Sequence, residues 1–207
     1  MIDLYTVPTA NGQRASIMLE EVELPYNVHV IDFASAGHQA PDFLAINPLG
    51  MAPALIDQDG PDGQAVNLFE TLAICYYLAE KTGQLMPQGG VARVEAHKWA
   101  VMVAADLGPA FAGQYYFKVQ AQPPQPYGVE LYETRAKRFL KAMDDRLADT
   151  EFLAGDTYTI ADVMAYPSAT SSAGRMDEGI AEFSNVVRWV DTVGNRTAVQ
   201  KGMAVPA

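Results

Sequence analysis

Three short stretches of this chain set polar groups where the backbone changes direction, and each is suited to touching a ligand. In Val7-Pro8-Thr9-Ala10-Asn11-Gly12 a proline ends a strand-like run, and two polar side chains stand at the entry to an amphipathic pattern. Free amides at the start of a helix attract anions. Thr9 or Asn11 can therefore cap the helix, with Asn11-Gly12 as a turn, or the pair can present donors to a bound anion. In Met51-Ala52-Pro53-Ala54-Leu55 a proline sits at the mouth of a strand, where a missing N–H is tolerated. A cis bond before Pro53 would turn the Ala52 amide and carbonyl outward, toward an extended ligand backbone. In Phe69-Glu70-Thr71-Leu72 a carboxylate and a hydroxyl open another helix. Glu70 can pair with an ammonium group and Thr71 can help helix amides hold a carboxylate, or both can be plain caps. Together the three stretches describe a site for a short peptide with an amino-acid head, an extended backbone and a third group near Thr9.

The elements that must position these groups follow from periodicity. Ile2 to Val7 alternates as a strand does, and Ala15, Met18, Leu19 and Val22 recur on one face of a helix. Val28 to Ile31 reads as a second strand, parallel to the first because a helix separates them. After an irregular segment or short helix, Ala54 to Ile56 and Ala65 to Leu68 form a hairpin, and Thr71 opens a helix to about Lys81. A stretch rich in helix breakers, residues 83–90, marks a linker. Beyond it the patterns are helical: Val91 to about Gly113, Tyr127 to about Thr150, Ala161 to about Ala173, and Val186 to about Val193. The expected architecture is an α/β domain over residues 1–82 followed by an all-α domain over residues 91–207. Thr159-Ile160-Ala161-Asp162 reads as a capping box, flanked by Tyr158 and Val163 as a hydrophobic staple. Its role is structural.

Composition narrows the function. The 207 residues are 49% hydrophobic with a net charge of -11, which repels nucleic acid and anionic lipid. A small anion would have to be held by local dipoles and a few donors. One cysteine, Cys75, excludes a protein dithiol, and three scattered histidines give no metal-ligand spacing. Any thiol chemistry must borrow its thiol. No apolar run approaches the roughly 20 residues of a membrane span. Met1 leads directly into a strand pattern, so a cytoplasmic protein with neither membrane nor nucleic-acid partner is expected.

The ordered set of Pro8-Thr9-Ala10-Asn11-Gly12, Ala52-Pro53, Glu70-Thr71 before Ala73-Ile74, and Thr159-Ile160-Ala161-Asp162 resembles the glutathione transferase family over nearly the whole chain. Its opening is most similar to the bacterial nu class, which reduces disulfides with glutathione, so the resemblance implies an enzyme that activates the glutathione thiolate for disulfide reduction or attack on an electrophile, the alternative being a noncatalytic binding or regulatory scaffold of the same fold. The resemblance implies a thioredoxin-like N-terminal domain that holds glutathione as cosubstrate, an all-α C-terminal domain closing the second-substrate site, and a homodimer. By position, Thr9 and Asn11 would hydrogen-bond the glutathione sulfur and be catalytic. The Ala52 backbone beside cis-Pro53 would pair with the cysteinyl portion, and Glu70 with Thr71 would bind the γ-glutamyl head. Ala10, Tyr115 and Tyr116 would line the pocket for a small hydrophobic electrophile or a disulfide.

The chain also departs from that pattern. His38 and Gln39 stand where relatives with this opening place a single glutamine that helps hold glutathione; either can serve, or His38 is an ordinary loop residue. Leu131 stands where the nu class usually has an arginine for a second glutathione, which weighs against binding two, and Arg135 lies about one turn further on. Tyr5, inside the first strand, is expected to pack, and Cys75, inside the helix after Thr71, to be a buried inert thiol.

Overall fold

The structure, a computed structural model, describes residues 1–176 and 178–206. It divides into two compact units, one formed by Met1–Gln84 with the segment from Arg196 on, the other by Leu85–Asn195.

The first unit is built on a four-stranded sheet in the order β2-β1-β3-β4. Strand β1 (Ile2–Thr6) leads into helix α1 (Ala10–Glu21), whose Ala15, Ile17, Met18 and Leu19 are buried. Strand β2 (Tyr26–Val30) lies parallel to β1, as a right-handed βαβ crossover requires. It starts at Tyr26, which stands opposite Ile2. A short helix α2 (Pro41–Leu44) precedes β3 (Ala54–Asp57), which pairs antiparallel to both β1 and β4 (Val66–Phe69). Helix α3 (Thr71–Thr82) buries Ile74, Cys75 and Leu78. This ββα arrangement after a βαβ start is the thioredoxin-like topology expected of the N-terminal half.

The expected boundary placed everything beyond residue 90 in the helical domain. The C-terminal segment instead packs with the first unit, through a helix that periodicity alone did not reveal, α9 (Thr197–Met203). Ser16 Oγ of α1 donates to the Gly202 carbonyl at 2.6 Å, and Arg196 grips Glu21 with two contacts of 2.7 Å.

The second unit is helical. Helix α4 (Gly90–Met102) continues through a π-helical turn, Val103–Leu107, into α5 (Gly108–Tyr115) and a second such turn, Tyr116–Gln120. The single helix expected from 91 to 113 is interrupted because Pro109 lacks an N–H and its ring crowds the carbonyl four residues back. Helix α6 (Pro126–Asp149) is followed by α7 (Ile160–Pro167), with a π-helical turn after Pro167, and by α8 (Ser184–Gly194). Leu107, Leu140, Met143, Leu147 and Trp189 form its core. Among the described residues no helix is long and apolar enough to cross a membrane, and no cluster of acidic, histidine or cysteine side chains is arranged to hold a metal.

Candidate functional site

One row of the sheet brings the three polar stretches together. Tyr5 of β1 stands opposite Ala54 of β3, and Ala54 stands opposite Phe69 of β4. From that row β1 runs on through Thr6 to Pro8-Thr9, β3 reaches back to Ala52-Pro53, and β4 runs on to Glu70. Segments far apart in sequence thus meet at one end of the sheet, where α1 and α3 begin.

Thr9 is the N-cap of α1, extended at φ -124° and ψ 163°, and its Oγ1 accepts from the Gly12 amide at 3.3 Å. A hydroxyl has one proton to give as well as lone pairs to receive. Capping therefore leaves the Thr9 O–H free to donate outward, and the two readings of Thr9 are compatible. Ala10 and Asn11 are the first helical residues, with Thr9 and Asn11 both exposed. Asn11 Oδ1 accepts from Arg14 Nη1 at 2.5 Å. Gly12 is no turn former but lies inside the helix. A Cβ there would stand 2.1 Å from the Val7 carbonyl oxygen and 2.4 Å from Thr6 Oγ1, so α1 sits against the end of β1 only because residue 12 has no side chain. Gly12→Ala is expected to cost ~1–3 kcal/mol of stability by overpacking, which thermal denaturation reads as a Tm lower by about 2–4 °C per kcal/mol.

The Ala52-Pro53 bond is cis, with Pro53 buried and Ala52 half-buried. The turn before it is held by Asn47, which is buried, accepts from the Leu49 amide at 3.0 Å and donates from Nδ2 to the Met51 carbonyl at 2.6 Å. Gly50 adopts φ +62°, and a Cβ on it would lie 2.6 Å from Gln39 Nε2 and 3.0 Å from the His38 carbonyl oxygen. The Gln39 amide is thereby seated on the turn leading into Ala52-Pro53. His38 differs: its ring stacks on Phe33 at 4.3 Å, and its Nδ1 is buried without a hydrogen-bond partner.

Glu70 occupies the N-cap of α3, but its side chain makes no capping bond. It is exposed, and its backbone adopts φ 69°, ψ 118°, a region that costs a non-glycine residue about 1–3 kcal/mol. Its carbonyl accepts from the Ile74 amide at 3.0 Å. The carboxylate is thus exposed at the start of α3 and not engaged in capping it. Thr71, the first helical residue, is buried beside it.

Tyr115 ends α5 in the second unit, half-buried, and Tyr116 on the following turn is 52% exposed, its ring edge-on to Phe117 at 5.2 Å. Phe117 in turn stacks on Tyr132 at 5.7 Å, and the Arg135 guanidinium lies over the Tyr132 ring at 5.2 Å. Leu131 is half-buried on α6. Tyr5 packs as expected, stacked on His29 at 4.6 Å, and burial raises its pKa above the ordinary range. Cys75 is fully buried, which pushes its thiol up to about 12 and keeps it neutral. Sequence reasoning missed Arg14 and Asn47. The Asn-Pro-Leu-Gly turn signature was a signal for the second; for the first there was only its spacing of three from Asn11.

A thioredoxin-like half with these groups at one end of its sheet, carried with a helical unit, defines a glutathione transferase fold. Residues 1–80 match the glutathione S-transferase N-terminal domain and residues 126–192 its C-terminal domain. The chain belongs to the glutathione S-transferase family. It is similar to the disulfide-bond oxidoreductase YfcG of Escherichia coli, 33% identical over 98% of this chain and 94% of that protein. Among solved structures it resembles a glutathione transferase of Burkholderia graminis with two glutathione molecules bound per subunit, at TM-score 0.94 and 37% identity over 99% of this chain and 88% of that one. A glutathione transferase of Pseudomonas putida with one glutathione disulfide bound per subunit superimposes with TM-score 0.94 at 32% identity, covering 100% of this chain and 92% of that one.

Proposed function

We propose that this chain binds glutathione at the sheet end described above, activates its thiol at the N-terminus of α1 and uses the thiolate to reduce disulfides. The observation that carries the reading is the convergence of Thr9 and Asn11, cis-Ala52-Pro53 and Glu70-Thr71 across the Tyr5–Ala54–Phe69 row. The roles follow from chemistry. Glu70, exposed and not engaged in capping, pairs with the γ-glutamyl ammonium while Thr71 and the start of α3 take its carboxylate. The Ala52 backbone pairs with the cysteinyl residue, and the Gln39 amide, seated on the Gly50 turn, serves the far end of the tripeptide. His38, stacked on Phe33, shapes the loop that carries Gln39. The sulfur then lies at the start of α1 with the Thr9 hydroxyl and the Asn11 amide as donors.

A thiol of pKa about 8.5 is only a few per cent ionised at neutral pH, and each unit of depression needs about 1.4 kcal/mol of preference for the anion. Helix amides and two donors supply a unit or two. The proton leaves to solvent, and the thiolate attacks a disulfide sulfur to give a mixed disulfide and expel a second thiolate. The thiolate of a second glutathione attacks the glutathione sulfur of the mixed disulfide, leaving glutathione disulfide and expelling the reduced substrate thiolate, which takes a proton from solvent. The protein needs no cysteine of its own.

The test is glutathione-dependent reduction of 2-hydroxyethyl disulfide coupled to glutathione reductase. Turnover well above the uncatalysed rate supports the reading, and none at saturating glutathione removes it. Glu70→Gln is expected to raise KM for glutathione about tenfold or more, through loss of a charge-assisted bond of ~1.5–3 kcal/mol, with a smaller change in kcat. An unchanged KM would take Glu70 out of the site.

Leu131 favours a second reading, attack on an electrophile with one glutathione bound. An apolar side chain there offers no cation to another tripeptide, and Arg135 is engaged with Tyr132. In that case conjugation replaces disulfide turnover in the assay. A homodimer is part of the proposal. Val91, Val94 and Val101 are 78%, 63% and 47% exposed on one side of α4, an apolar stripe suited to burial against a second copy. Light scattering at a subunit mass of 22.4 kDa reads the assembly directly.

A further inference from the structure

Arg14 is 3% exposed and sits close to the N-terminal end of α1, an arrangement that is unfavourable twice over. Removing a guanidinium from water costs several kcal/mol, and the positive end of a helix dipole repels a cation. An apolar side chain would fill the same space without either cost. From that position Arg14 Nη1 donates to Asn11 Oδ1 at 2.5 Å.

That bond decides which way Asn11 faces. A guanidinium has donors and no acceptor, so the atom of the Asn11 amide turned toward it must be the oxygen. The amide NH2 is then left on the opposite side, at the exposed helix start. An asparagine free to rotate would present oxygen or nitrogen to an arriving sulfur with little preference, and oxygen repels a thiolate. We propose that Arg14 is a positioning residue that locks Asn11 with its NH2 toward the glutathione sulfur and sets a buried positive charge behind it. The inference rests on the glutathione reading and deepens it, since Arg14 itself touches no substrate. Burial pushes Arg14 down to about 10, which leaves it charged at neutral pH, and its buried neighbour Cys75 is a neutral thiol that does not cancel the charge.

The test is a double-mutant cycle read by the pH titration of bound glutathione, followed through thiolate ultraviolet absorbance, together with kcat and KM. Arg14→Met is expected to raise the pKa of the bound thiol by about one unit and lower kcat about tenfold at neutral pH, with KM little changed. Asn11→Ala should do the same, and the double variant should be no worse than either single one, because both break one device. Arg14→Lys, which keeps the charge and a donor, should recover most of the effect. Asn11→Asp covers the case in which Arg14→Met does not fold. It satisfies Arg14 but puts an acceptor where the NH2 stood, so stability should hold while the thiol pKa rises at least as far as in Asn11→Ala. A wild-type titration with additive effects of the two sites, or a pH profile unmoved by Arg14→Met or by Asn11→Asp, overturns the proposal and leaves the glutathione reading standing. A wild-type protein that shows no bound thiolate overturns both.

Discussion

Thr9→Ala is expected to reduce kcat for glutathione-dependent disulfide reduction about a hundredfold while changing glutathione affinity by less than about threefold. Two effects multiply. Losing the hydroxyl donor raises the thiol pKa by about one unit, which removes about nine-tenths of the thiolate at a pH below it. The sulfur also loses a contact that aims it, and misplaced nucleophiles lose roughly another factor of ten. Affinity hardly moves because, in the proposed site, Glu70, Thr71 and Ala52 hold the tripeptide. Thr9 is also the cap of α1, accepting from Gly12 at 3.3 Å, and removing a cap costs ~1 kcal/mol of stability. Substitutions at this one position separate the roles. Thr9→Ser keeps acceptor and donor and should retain most activity. Thr9→Asp keeps the cap but has no donor when ionised, so its Tm should match the wild type while kcat falls at least as far as in Thr9→Ala. An active Thr9→Asp protein would reduce Thr9 to a structural cap and move the burden of activation to Asn11.

The sequence made one half of this site legible and hid the other. Strand periodicity and turn chemistry are local, so β1, α1, β2, the hairpin and the start of α3 could be read from short windows, and with them Thr9, Pro53 and Glu70. What makes those positions a site is not local. Glu70 at φ 69° looks like any other glutamate in sequence, and only the closing of β4 against β3 forces its backbone there. Gly12 read as half of an Asn-Gly turn because the reason for it, the Val7 carbonyl, belongs to the preceding strand. Nothing local marks Arg14 as buried, since a charge on an amphipathic helix normally faces water. Its burial depends on what packs over α1, where Cys75 of α3 is its neighbour, and another face of α1 meets a C-terminal segment 186 residues away that receives the Ser16 hydroxyl. That segment was assigned to the helical domain for the same reason: α9 is too short to declare its partner by periodicity. Prolines 109 and 167 were visible, but whether a proline ends a helix or leaves a π-helical turn is settled by what packs around it.

Asp162→Ala is expected to cost the protein ~3 kcal/mol or more, enough to lower Tm by about 6–12 °C. The capping box predicted for Thr159 and Asp162 is present, with Asp162 Oδ2 accepting from the Thr159 amide at 3.0 Å and the Thr159 hydroxyl accepting from Ala161 at 3.3 Å. The carboxylate reaches well beyond the helix, however. Its Oδ1 accepts from the Leu153 amide at 3.0 Å and from Trp189 Nε1 at 2.9 Å, so one side chain ties α7 to α8 and to the loop before α7. With the Thr159 hydroxyl, which also donates to Oδ2 at 3.3 Å, alanine strands four buried donors at once, each costing ~1–3 kcal/mol unless it finds another acceptor. The same burial sets the pH dependence. Desolvation pushes the Asp162 carboxyl up to about 6 from an ordinary 3.8, against the pull of its donors. A raised folded-state pKa means that this group's titratable stabilisation is complete below the unfolded value and is lost as pH rises through the folded one. That loss is worth roughly 3 kcal/mol at 1.36 kcal/mol per unit. The stability gap between wild type and Asp162→Ala, measured by urea denaturation, should therefore narrow between about pH 4 and pH 7, with every other titrating group common to both proteins. A gap that widens instead would mean that the donors outweigh burial and that the carboxylate, not the acid, is the form the fold selects.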